Sequence, residues 1–206
     1  MRLAVVGAIL LALPTFSSIS AQPTASQIRS ATGIRGGLIV HIGCGRGELT
    51  AALKGDGPFI VQGLDTDPTN VDRARDHFRS LKLSGTVSAD LFDGRKLPYV
   101  DNLVNLIVAA DLGRVDPLEV TRVLCPGGVA YIRKNGTWTK KTKPRPDNID
   151  DWTHFLHGPD NNSVSDDSVV GPPRHFQWIA KPRFSRSHDH LASVSAVVSS
   201  GGRLFY

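Results

Sequence analysis

Between residues 34 and 132, short and mostly apolar runs at 38–42, 59–64, 86–89, 103–109 and 129–132 alternate with amphipathic stretches. Apolar runs of this length suit strands covered on both faces, and their alternation with helical segments is the pattern of β/α units wound on a parallel sheet. The first run ends in Gly43-Cys44-Gly45-Arg46-Gly47, and a short helix is expected over 47–54. Pro68 opens a second helix in which Val71, Ala74, Phe78 and Leu81 recur at helical spacing. Asp116 caps a third, with Pro117 at its first position, an apolar face of Val120, Val123 and Leu124, and a stop at Pro126-Gly127-Gly128. The fold class implied is α/β, a Rossmann-like doubly wound parallel sheet.

In such a sheet the chemistry gathers at the carboxyl ends of the strands, and the first turn is the richest candidate. Glycines at alternate positions let the backbone bend sharply and approach a bound nucleoside, where a Cβ would collide. A nicotinamide fingerprint needs a further glycine three residues after the second, but position 48 is Glu. Asp65 lies 20 residues beyond Gly45, at the end of the second apolar run, where a carboxylate can accept both hydroxyls of a ribose or simply cap the next helix.

Over roughly residues 33–133 the chain resembles the class I S-adenosylmethionine-dependent methyltransferases, in their type 11-like, small-molecule branch. Gly43, Gly45 and Gly47 match the glycine turn, Asp65 the ribose acid, and Asp90, followed by Leu91, the acid placed near the adenine amino group. Leu97-Pro98-Tyr99-Val100-Asp101-Asn102 and Arg122-Val123-Leu124-Cys125-Pro126-Gly127-Gly128 are similar to the motifs before strands four and five. The resemblance implies S-adenosylmethionine as cofactor and a small-molecule methyl acceptor. His41 stands where the family usually carries an acid near the methionine end, and Asn105 where an Asp is typical. No strand pair completing the family sheet is visible after strand five. No Asn-Pro-Pro-Tyr or Pro-Cys motif points to base methylation. Methyl transfer asks mainly for alignment, and no catalytic base is assigned, although Asp111 falls at the carboxyl edge of the sheet.

The flanks read differently. Arg2, the apolar run 3–13 and the small residues up to Ala21 form an export signal, too short to span a bilayer, so a secreted or periplasmic protein without a stable membrane span is expected. The net charge of +5 traces to Arg133, Lys134, Lys140, Lys141, Lys143 and Arg145, and the rest carries 18 positive against 19 negative charges. A solvated basic linker over 134–150 and no nucleic-acid partner are therefore expected. His154, His157, His175, His188 and His190 are read as hydrogen-bonding groups in an irregular segment rather than metal ligands. Residues 151–206 resemble the lead-in and first hairpin of exported proteins with pyrroloquinoline-quinone-type (PQQ) β-propeller repeats, which leaves an alternative to catalysis: a non-catalytic exported module that has lost its cofactor. Cys44 and Cys125 fall at opposite ends of the sheet, beyond disulfide reach, and are expected to stay unpaired.

Overall fold

The computed structural model describes residues 22–169, 196–201 and 203–205. The chain divides into two compact units, Met1–Pro144 and Arg145–Tyr206. The export signal expected over 1–21 lies outside the described residues, as do His175, His188 and His190.

The first unit holds α1 (Ala25–Thr32), β1 (Gly37–Ile42), α2 (Glu48–Lys54), β2 (Phe59–Asp65), α3 (Pro68–Ser80), β3 (Val87–Leu91), β4 (Val104–Ala109), α4 (Pro117–Val123), β5 (Leu124–Lys134) and β6 (Thr137–Thr142). Its sheet runs β3-β2-β1-β4-β5-β6, with β6 antiparallel to β5 and the other neighbours parallel. The order reverses between β1 and β4, the topological switch at which open α/β sheets bind ligands. Helices cover both faces. Ile28, Leu53, Val71 and Phe78 from α1 to α3 pack on Ile39, Val61 and Leu106, while Val120 and Val123 of α4 pack on Val40, Leu64 and Ile107.

Three elements depart from the sequence reading. Helix α1 was not anticipated, although Thr24 and Gln27 form a reciprocal capping box and Gly33 closes the helix in the left-handed conformation. Strand β5 begins at Leu124, so Pro126-Gly127-Gly128 is not a helix stop but an irregularity within the strand. The register shifts between Val104↔Leu124 and Leu106↔Val129, and a Cβ on Gly128 would lie 2.9 Å from the Val104 carbonyl oxygen.

The third departure is β6, where a linker was expected and no closing strand was visible. Asn135 and Gly136 both have positive φ, 51° and 80°, as a tight antiparallel hairpin requires. Trp138 then returns to stack on Tyr131 at a ring separation of 5.2 Å. The basic run is thus folded into the sheet. Lys140 Nζ donates to the Ala31 carbonyl at the end of α1, and Lys143 Nζ donates to the Thr121 and Arg122 carbonyls at the end of α4. Both place a cation where unpaired helix carbonyls concentrate negative charge.

The two motifs flanking strand four are joined through one side chain. Arg122 donates to the Leu97 and Tyr99 carbonyls, to Asp101 and to both oxygens of Glu119, while Glu119 also accepts from the Leu97 amide. The guanidinium holds the Glu119 carboxyl below its ordinary pKa. In the second unit, β7 (Val198–Ser200) and β8 (Arg203–Phe205) form an antiparallel pair, with Trp152 exchanging hydrogen bonds with Ser199. His157 bonds to Asp150 and His154 to Thr153.

Arg122→Ala removes charged hydrogen bonds from a part-buried site and is expected to lower unfolding free energy by about 2 kcal/mol. Urea denaturation checks this, and an unchanged midpoint would contradict the clamp.

Candidate functional site

The turn after β1 is built by β2. The Leu64 carbonyl accepts from both Gly43 N and Cys44 N, and Asp65 Oδ2 accepts from Gly45 N at 2.9 Å. Asp65 Oδ1 accepts from Asp67 N and from Asn70 Nδ2, so the 7% exposed carboxylate is held from both sides. Oδ2, with one donor, has capacity for a further one.

The three glycines of the turn do different work. A Cβ on Gly43 or Gly45 would meet nothing within 4 Å, so the space above them is open, and both have positive φ. A Cβ on Gly47 would lie 2.7 Å from the Phe78 ring and 3.0 Å from the Ala74 Cβ. Gly47 therefore serves the packing of α3 against the turn, whereas Gly43 and Gly45 leave room for a ligand.

A cavity of about 270 Å³ opens at this edge, lined by Gly43, Asp65, Thr66, Phe92, Asp111 and Arg114, among others. Asp111, considered above as an edge acid, reaches this cavity, and its Oδ1 accepts from Gly113 N. Gly43 also borders a second cavity of about 360 Å³, with His41, Cys44 and Glu48 in its wall. His41 is 3% exposed and shares a 2.8 Å hydrogen bond from Nδ1 with Thr50 Oγ1 of α2. Burial pushes its imidazole down to about 4, against a smaller opposing pull from Asp65, so the ring is neutral at pH 7.

Asp90 and Leu91 are not in the wall of either cavity. Asp90 accepts from Gln62 Nε2 and Arg75 Nη2, Gln62 Oε1 accepts from the Tyr99 hydroxyl, and Leu91 is 54% exposed. Burial, with Asp90 nearby, raises the Tyr99 phenol above its ordinary pKa and keeps it a donor. Phe92, two residues after Asp90, is the β3-side group that reaches the first cavity. Sequence reasoning passed over it and Thr66, because neither has a distinctive spacing. Asn105, the other departure from the family pattern, works at the opposite edge: its Oδ1 accepts from Leu38 N and its Nδ2 approaches Cys125 Sγ.

Both cysteines are free, as their positions at opposite ends of the sheet imply. Burial and the Asp65 charge push the Cys44 thiol up to about 12, and it lies packed over Gly63.

Two outcomes follow. Cys44 is expected to resist a disulfide reagent at pH 8 in the native protein and to react on unfolding, and rapid native labelling would contradict its burial. His41 binds a proton in the unfolded chain near pH 6.5 but in the fold only near 4. The unfolded state therefore binds more protons between those values, and stability should fall as pH drops through this window, by at most about 3 kcal/mol. A His41→Gln variant should show a flatter profile, measured by denaturant unfolding from pH 7 to 4.

Comparison with known proteins bears on the same segment. Residues 39–128 match the methyltransferase domain family. Methyltransferase GfsG of Streptomyces halstedii is 34% identical over 108 residues, which are 48% of this chain and 39% of GfsG. A candidate S-adenosyl-L-methionine-dependent methyltransferase of Methanococcus maripaludis aligns at 27% identity over 52% of each chain with a TM-score of 0.49. The [4+2]-cyclase SpnF aligns at 26% identity over 55% of this chain and 46% of its own, with a TM-score of 0.48. The chain spans about half or less of the length of these relatives. The family match and the likeness to GfsG make residues 39–128 similar to a methyltransferase domain.

Proposed function

We propose that the first unit binds S-adenosylmethionine across Gly43 and directs methyl transfer to a small-molecule acceptor. The observation that carries this reading is the turn itself: two left-handed glycines with open space above them, tied by a hydrogen bond to a buried carboxylate at the end of the neighbouring strand. Asp65 Oδ2 would accept a ribose hydroxyl, and Phe92 would offer its ring face in the nucleoside cavity. The amino-acid end would lie toward the second cavity, where His41 and Glu48 meet Gly43. When bound, the cofactor supplies an electrophilic methyl group on a sulfonium.

The residues of the chain then act by position. Neutral His41 offers a hydrogen-bonding ring without charge, while Glu48 and Asp65 supply the nearby negative charge that favours a cation. Asp111, on the rim of the nucleoside cavity, faces the space an acceptor would approach through, and its carboxylate would orient the nucleophile or take its proton. Export directed by residues 1–21 belongs to the same proposal, and fractionation of the tagged chain tests it separately. A propeller role for the hairpin of the second unit is likewise a proposal, resting on its sequence pattern and antiparallel pairing.

Calorimetry with S-adenosylmethionine should show binding in the micromolar range, reduced at least about tenfold by Asp65→Ala, which removes charged hydrogen bonds to the ligand. Absence of heat at millimolar ligand with folded protein would end the reading and favour a non-catalytic module.

A further inference from the structure

On the α4 face of the sheet lies a groove of about 370 Å³ that the methyl-transfer reading does not use. Its floor is apolar: Val120 and Leu124 beside α4, Ala130 and Ile132 of β5, and Leu112 from the segment after β4. Cross-strand pairing puts the rim on the same face, since Thr139 sits opposite Ile132 and Lys141 opposite Ala130. Lys134, at the carboxyl end of β5, completes that rim.

The charge around the groove has one sign. Neither the Lys134 nor the Lys141 ammonium has a hydrogen-bond or ion-pair partner among the described residues. Among the described residues no acid is in the groove wall. The acids on the bordering elements are engaged elsewhere: Asp116 caps α4, Glu119 bonds to Arg122, and Asp111 accepts from Gly113. Lys143, also in the wall, is committed to the end of α4, which leaves Lys134 and Lys141 as the two free cations over an apolar floor among the described residues. The volume is that of a small-molecule site rather than of a protein interface.

We propose that this groove binds an amphipathic carboxylate, its apolar tail lying on Leu112, Val120 and Ile132 and its carboxylate held by Lys134 and Lys141. Apolar burial supplies affinity, and the two rim ammonium groups select the head by charge. The Thr139 hydroxyl is already donated to the Ile132 carbonyl, so the lysines carry the polar recognition. Leu112 also lines the nucleoside cavity, and the groove therefore adjoins the proposed cofactor site.

The probe is dodecanoate, titrated into the full chain below its micelle concentration and followed by calorimetry. Saturable binding to one site is expected, with dodecyltrimethylammonium, the same tail carrying a cationic head, at least about tenfold weaker. Lys134→Gln combined with Lys141→Gln should weaken dodecanoate about fivefold without moving the melting temperature. Thr139→Glu, which sets an acid on the exposed rim, should weaken it as well. Equal binding of the two heads, failure to saturate, or full affinity in the two-lysine variant overturns the proposal. Dodecanoate binding is measured without S-adenosylmethionine, so its failure and that of the cofactor reading are separate results.

Discussion

The end of β2 holds the turn after β1, and the rest of the site is arranged around that attachment. Three hydrogen bonds, two to the Leu64 carbonyl and one to Asp65, keep the turn against the next strand. The reversal of strand order at β1 and β4 then leaves a crevice beside it. Without Asp65 the turn loses its side-chain anchor at Gly45, and the group proposed to hold the ribose disappears with it. One carboxylate thus couples backbone geometry to recognition, which explains its burial despite its charge.

The basic character of the chain has a structural explanation at the same level. A run of cations that looks like a solvated connector becomes the last strand of a sheet, because Asn135-Gly136 reverses the chain and Trp138 has Tyr131 to stack on. Once the strand is in place, alternation sends its lysines to different tasks. Lys140 reaches the end of α1, and Lys141 remains on the α4 face. The lysines of that run are bound up with helix termini and a groove rim.

How much of this could be read from the residues depends on the range of the cause. Strands β1 to β4 and the helices α2 to α4 follow from local pattern: apolar runs, Pro at a helix start, Asp as a cap. The Asn135-Gly136 hairpin and the Thr24–Gln27 capping box were equally local signals, masked by the lysines of one and the proximity of an apolar run to the other. Asp90 and Phe92 mark the limit. Nothing in their spacing says that Arg75 and Gln62 will hold the acid while the ring two residues on reaches the cavity, since that depends on α3 and Tyr99 converging on one edge strand. His41 is similar: its position was legible, but its neutrality comes from its burial, which outweighs the opposing pull of Asp65.

Arg75 has a role beyond holding Asp90. Its Nε donates to the Ala89 carbonyl of β3, one border of the sheet, while the lysine-bearing β6 forms the other. An open sheet border is a template on which a second molecule can add a strand. Here one border has a main-chain acceptor already occupied by a guanidinium, and the other repels its own copy through like charge. Self-association by strand addition is therefore opposed at both borders by different means, one a local hydrogen bond and the other a long-range field that weakens with ionic strength. In concentrated salt the β6 border is the one whose protection fades.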